Sequence, residues 1–201
     1  MKTFSARFPG HPAGTPLTWE GSSVKALACS PDGSQLACLD AKGIVRRWNP
    51  LSGEAIGGLF RAGLEIRRLC YADQGRMLVM GDEDGVLRRM EAGGNSGPPE
   101  RSAHDGPINC LVYSSEDGLL VSGCANGSLG LLWDRLPASE AMRYLQHDSS
   151  PILCAAFSPT LSGVVATGNA AGFVREWNSR DGILLQEWQA GTEAMKHPPP
   201  S

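Results

Sequence analysis

Between Ile108 and Asp134 the chain alternates short apolar runs with polar turns: Ile108–Tyr113, Leu119–Ser122 and Leu129–Trp133, separated by SSEDG and CANG. Runs of this length, bounded by Asp-Gly and Asn-Gly, predict antiparallel strands joined by tight hairpins, because those dipeptides tolerate the positive φ that hairpin turns demand. One such meander cannot bury both faces of its sheet. Three further copies supply neighbours: VKALACSPDGSQLACLDAKGIVRRWN from Val24, IRRLCYADQGRMLVMGDEDGVLRRME from Ile66 and ILCAAFSPTLSGVVATGNAAGFVREWN from Ile152.

Three sets of anchors keep one period. The opening residues Val24, Ile66, Ile108 and Ile152 stand 42, 42 and 44 positions apart. The turn glycines Gly43, Gly85, Gly127 and Gly172 step by 42, 42 and 45, and the closing residues Trp48, Met90, Trp133 and Trp177 by 42, 43 and 44. After each closer comes a turn and a fourth apolar stretch, clearest in ILLQEW after Gly182. Four strands per unit at this period predict an all-β fold of β-propeller blades, each a four-stranded antiparallel sheet. The blades run over about 24–63, 64–104, 105–147 and 148–191.

At these residues the chain resembles the WD-repeat family of β-propellers, over residues 15–191. The matching features are Ser30-Pro31-Asp32-Gly33, Ser158-Pro159, Ala103-His104 ahead of a blade, and the dipeptide Trp133-Asp134. The resemblance implies a buried hydrogen-bond set in each blade: a His before the first strand, a Ser or Thr in the second, an Asp in the following turn, and the Trp. Carried onto this chain, the third repeat offers His104, Ser122, Asn126 and Trp133, with Asn in place of Asp and one extra residue before the Trp. The fourth offers His147, Thr167 and Trp177, with Ala171 at the Asp place. The second keeps Asp84, with Met90 for Trp, and the first keeps Trp48.

Residues Thr15–Gly21 read as an outer strand belonging to a blade ahead of the first, whose other strands the sequence does not contain. Family rings usually have seven blades, so four imply an open or incomplete ring: a fragment, a short isoform, or a half awaiting a partner. Residues 1–14 form a flexible N-terminal segment, and 192–201 have no strand pattern and read as a disordered tail. Between the second and third blades, Ala92–Arg101 reads as a long turn leading to a short outer strand.

Composition changes this picture little. Of 201 residues 41% are hydrophobic, enough for a core, and 25 glycines with 14 prolines suit a chain of many turns. No apolar run resembles a signal peptide or a membrane span, so the protein reads as intracellular, in cytoplasm or nucleus, without a membrane partner. The six cysteines form no C-x-x-C pair and fall mostly in strands, which makes them small core residues rather than ligands. No nucleophile elbow, phosphate loop or His-Glu-x-x-His stands in the sequence, so no catalytic residue, metal or cofactor is expected. Asp82-Glu83-Asp84 reads as a solvated acidic turn, with Glu83 on the rim.

The charge lies unevenly. Residues 1–90 carry 12 basic and 9 acidic side chains, and residues 91–201 carry 6 and 12. Arg46-Arg47 and Arg88-Arg89 occupy matching third-strand positions, with Arg67-Arg68 in a first strand between them. Arg47 and Arg89 fall where the family is usually apolar, which calls for carboxylate partners or partial exposure. A net charge of −3 disfavours nucleic acid. The expected role is a non-enzymatic scaffold that binds other proteins through the rim residues Ser22, Ser23, Glu65, Glu83, Asp105, Asp148 and Ser149, with self-association as a means of completing the ring. The alternative is an RNA- or ribonucleoprotein-associated subunit using the arginines of the first two blades.

Overall fold

The computed structural model describes residues 22–91, 101–133, 143–145 and 148–190. The strand expected at 15–21, the segment 1–14, the tail 192–201 and His147 lie outside the described residues. Among the described residues sixteen strands form four sheets. The first sheet holds β1 (Val24–Cys29), β2 (Leu36–Asp40), β3 (Ile44–Trp48) and β4 (Phe60–Arg61). The second holds β5 (Ile66–Ala72), β6 (Met77–Asp82), β7 (Val86–Glu91) and β8 (Arg101–Ser102). The third holds β9 (Ile108–Ser114), β10 (Leu119–Cys124), β11 (Leu129–Trp133) and β12 (Arg143–Leu145). The fourth holds β13 (Ile152–Phe157), β14 (Val164–Asn169), β15 (Phe173–Asn178) and β16 (Leu184–Gln189).

Every sheet is an antiparallel meander in chain order. Hairpins hold it together locally. The amides of Gly43, Gly127 and Gly172 close their turns on the carbonyls of Asp40, Cys124 and Asn169, at 3.0, 3.2 and 3.1 Å. Each of these glycines has a φ between 72° and 88°, the left-handed region that costs a side chain but not glycine.

The sheets stack in sequence order, with the first strands β1, β5, β9 and β13 touching one another along the inside of the arc. Three cores lie between them. Ala37, Leu39 and Val45 of the first sheet meet Leu69, Tyr71, Leu78, Met80 and Met90 of the second. Val79 and Leu87 of the second meet Leu111 and Leu120 of the third. Cys110, Val121 and Leu129 of the third meet Val165 and Trp177 of the fourth. Among the described residues the first and last sheets do not pack on each other, and the ring is open.

One equivalence changes. The register sets Leu36 across from Trp48, Leu78 across from Met90 and Val165 across from Trp177. In the third sheet the residue across from Leu120 is Leu132, and Trp133 stands across from Leu119. Strand residues alternate faces, so Trp133 is not the counterpart of the other closers. The extra residue in the third repeat falls beyond the paired stretch, and Leu132 takes the closing position.

Candidate functional site

On one side of the arc, the loop leading into each blade and the β-hairpin between its second and third strands lie together. A single bond recurs four times: the amides of Ala41, Glu83, Ala125 and Ala170 donate to the carbonyls of Ser23, Glu65, Pro107 and Pro151, at 2.8, 3.1, 3.0 and 2.8 Å. The hairpin glycines also press against the loop that leads into the following blade. A methyl group on Gly43, Gly85 or Gly127 would come within 2.2 Å of the carbonyl oxygens of Gly63, His104 and Asp148 respectively. The surface is therefore a row of loops tied to one another and to the sheets.

The rim residues are placed along this row. Ser23, Glu83, Asp105, Asp148 and Ser149 are exposed. Ser22 and Glu65 are half-buried. Several already have partners: the Ser22 amide donates to Asp40 Oδ2 at 3.4 Å, Glu65 lies 3.7 Å from Arg88, and Glu83 lies 3.5 Å from Arg67. Asp148 accepts from Arg175 Nη2 at 2.7 Å and from Asn169 Nδ2 at 3.0 Å.

Beneath the rim, the third blade holds a hydrogen-bond chain. His104 Nε2 is 2.7 Å from Ser122 Oγ, and its Nδ1 is 2.6 Å from Ser128 Oγ. The Ser128 hydroxyl donates to Asn126 Oδ1 at 2.7 Å. With that proton committed, Ser128 accepts from Nδ1–H, which leaves Nε2 to accept from the Ser122 hydroxyl. Burial depresses the His104 pKa to about 4, so the ring is neutral. Tyr144 closes the set, with its ring edge-on to His104 at 6.0 Å and its hydroxyl donating to the Ala103 carbonyl. Asn126 thus reaches His104 only through Ser128, and the side chain of Trp133 lies outside the described ones. In the fourth blade Trp177 Nε1 donates to Thr167 Oγ1 at 3.0 Å.

Sequence reasoning missed the residues that cap the hairpins. Asp40 and Asp82 are fully buried at the ends of β2 and β6. Asp40 Oδ1 accepts from the amides of Lys42 and Ile44, both at 2.9 Å. Asp82 Oδ1 accepts from Asp84 and Val86, at 3.0 and 2.7 Å, and its Oδ2 takes Arg88 Nε and Nη2, both at 3.2 Å. Asn169 caps Phe173 in the same way at 2.8 Å, and Cys124 stands at that place in the third blade. The acidic turn is therefore solvated only at Glu83 and Asp84. A signal was present, since Asp40, Asp82, Cys124 and Asn169 recur at steps of 42, 42 and 45. For Asp40, burial works against ionisation, but the bonds from Ile44, Ser22 and Lys42 outweigh it and lower the pKa.

Several of the arginines are engaged inside the molecule. Arg47 is 6% exposed, with Nη1 3.4 Å from Gln35 Oε1, which also accepts from the Tyr71 hydroxyl at 3.3 Å. An amide and a phenol from two adjoining blades are thus among its neighbours. Arg46 lies over the Trp48 ring at 5.8 Å, and Arg68 donates to the Asn109 and Arg67 carbonyls. Burial raises the thiols of Cys70 and Cys110 to about 12, so neither is a nucleophile at neutral pH. Among the described residues no group of three His, Cys, Asp or Glu is placed to hold a metal ion. The opposite side of the arc has a concavity of about 500 Å³, lined by Pro31, Asp32, Gln74, Ser115 and Glu116.

A sequence model described as "WD domain, G-beta repeat" matches residues 3–49 and 97–134. The chain belongs to the WD-repeat family. WD repeat-containing protein 91 of Danio rerio is 25% identical over 175 residues, which cover 86% of this chain and 20% of that protein. Actin-interacting protein 1-2 of Arabidopsis thaliana is 29% identical over 109 residues, 53% of this chain and 18% of that one. This WD-repeat chain therefore spans about a fifth of the length of these curated relatives. Among solved structures, Sqt1 of Chaetomium thermophilum, bound to the N-terminus of the ribosomal protein L10, superposes with a TM-score of 0.72 at 19% identity, over 87% of this chain and 52% of that one. The C-terminal WD40 domain of Sif2 superposes with a TM-score of 0.70 at 17% identity, over 87% and 48%. At these identities the likeness is one of fold. No helix among the described residues is long and apolar enough to cross a membrane.

Proposed function

We propose that this chain is a non-enzymatic scaffold in the cytoplasm or nucleus, half of a WD-repeat propeller, that binds other proteins through the row of lead-in loops and hairpins. The observation that carries this reading is the fourfold amide-to-carbonyl bond between loop and hairpin. It fixes four side-by-side loop pairs before any partner arrives, which lowers the ordering cost of binding. Ser23, Glu83, Asp105 and Ser149 are exposed on that row and are the contacts we assign to a partner. The neighbour Sqt1 was crystallised with a peptide from another protein, which is in keeping with this use of the fold. Of the arginines in the first two blades, Arg47, Arg67, Arg68 and Arg88 are held by Gln35, Glu83, backbone carbonyls, and Asp82 with Glu65, an arrangement that weighs against a nucleic-acid surface.

The test is proximity labelling in cells with three forms of the chain: unaltered, Glu83→Lys/Asp105→Lys on the rim, and Glu116→Lys on the opposite side. The rim variant should lose a set of labelled proteins that the other two retain. Identical sets from all three would overturn the reading.

A further inference from the structure

We propose that two copies of this chain pair head to tail, the free face of the first sheet of each copy seating on the free face of the fourth sheet of the other. This rests on the half-propeller reading above and names what supplies the missing half. The argument comes from how the sheets inside the arc already fit. The residue that opens each following blade, Ile66, Ile108 or Ile152, is completely buried. Two of these fill hollows left by glycines of the preceding sheet. A methyl group on Gly81 would lie 2.7 Å from Ile108 Cγ2, and one on Gly123 would lie 2.6 Å from Ile152 Cγ2.

Both halves of that fit recur, unfilled, at the ends of the arc. Gly168 pairs with Cys154 in the fourth sheet as Gly123 pairs with Cys110 and Gly81 with Arg68. Nothing but Cys154 Sγ lies near its open side among the described residues. Val24 pairs with Asp40 as Ile66 pairs with Asp82 and Ile152 with Asn169, yet it is 44% exposed. A branched knob without a hollow and a hollow without a knob thus stand on opposite ends of one molecule.

The surroundings repeat the internal contact too. Val174 is paired with Gly168 as Leu87 is with Gly81 and Leu129 with Gly123. Leu87 and Leu129 are buried, whereas Val174 is 39% exposed beside Trp188. On the first sheet, Leu27 holds the place of buried Leu69 and is exposed. Exposed apolar side chains therefore stand on both faces that would meet. These faces also carry opposite charges, Arg46 on the first sheet and Glu176 on the fourth.

A second copy of the chain fits the size of the gap. The chain covers 52% and 48% of two propeller chains that it superposes on, so two copies supply the sheets of one ring. Two identical head-to-tail contacts then close on a two-fold axis instead of growing into a filament.

Light scattering on the purified 201-residue chain tests this. At tens of micromolar the mass should be twice that of one chain, and Val24→Asp and Gly168→Leu should each run as folded monomers by circular dichroism. Mixing the two variants should restore a dimer, because one contact then joins an intact Gly168 face to an intact Val24 face. That complementation separates a lost contact from a lost fold. A folded monomer of the unaltered chain, species that grow without limit, or a dimer indifferent to both variants would overturn the pairing. None of these outcomes touches the rim assay, so the two proposals fail separately.

Discussion

A histidine with one nitrogen donating to a serine and the other accepting from one has no use for a second proton. In the unfolded chain a histidine titrates near 6.5; in the fold His104 titrates at about 4, because burial penalises the charged ring. The folded chain therefore binds fewer protons across this interval. The stabilisation is complete above about pH 6.5 and falls as the pH drops towards 4, by about 3 kcal/mol in all. His104→Gln should lower stability by about 1–3 kcal/mol at neutral pH and flatten the slope between pH 6.5 and 4.5. Urea midpoints across that range check it, and equal slopes in both proteins would count against the assignment. The hairpin carboxylates give a second comparison. Asp82 is wholly buried against two amides and Arg88, so Asp82→Ala leaves two buried amides without their acceptor and removes a buried charge from beside Arg88, and should cost about 3 kcal/mol. Asp84 is exposed, and Asp84→Ala should cost less than about 0.5 kcal/mol. Thermal melts of the two variants would separate a buried cap from a solvated turn.

At the scale of the element, the hairpins show how much of the fold the sequence carried. Periodic apolar runs and glycines sufficed to place four meanders, because a strand's pattern and its turn chemistry are local. The third-blade register was not legible, since an insertion near a strand end can be absorbed on either side of the closing residue, and the tryptophan drew the alignment to itself. The buried role of Asp82 was hidden for a different reason: three acidic residues in a row look alike until the pleat turns one of them inward. Likewise Ser128 entered the histidine set unseen because its neighbour Asn126 fitted the family pattern better. The glycines themselves divide into two kinds. Gly33 and Gly85 both have positive φ, 71° and 81°. No atom lies within 4 Å of where a Gly33 methyl would be, whereas one on Gly85 would meet the His104 carbonyl at 2.1 Å. Gly33→Ala should cost about 1 kcal/mol from backbone strain alone. Gly85→Ala must in addition push the lead-in loop of the third blade away, and should cost at least twice as much in chemical denaturation. Equal losses would mean that the loop moves freely and that the rim is not pre-set.

Across the whole molecule, stability is distributed by position in the arc. Among the described residues the second and third sheets have a neighbour on both faces, while the first and fourth have one each. Exposure follows: β6 and β10 are buried almost throughout, β1 is buried nowhere along its length, and every residue of β16 is exposed. An array whose units contact only their neighbours opens from its ends, because an end unit forfeits one interface on unfolding and an inner unit two. Native-state hydrogen exchange on the Val24→Asp variant, which the pairing reading makes a monomer, should therefore rank the strands. Amides of β6 and β10 should exchange slowest, and those of β1 and β14 faster, although both lie within hydrogen-bonded sheets. In the unaltered chain at high concentration, β1 and β14 should slow selectively, since the second copy covers those faces, while β6 and β10 change little. Slowing spread evenly over all four sheets would instead show that the arc opens as one cooperative unit. Protection unchanged at β1 and β14 would show that nothing covers the end faces.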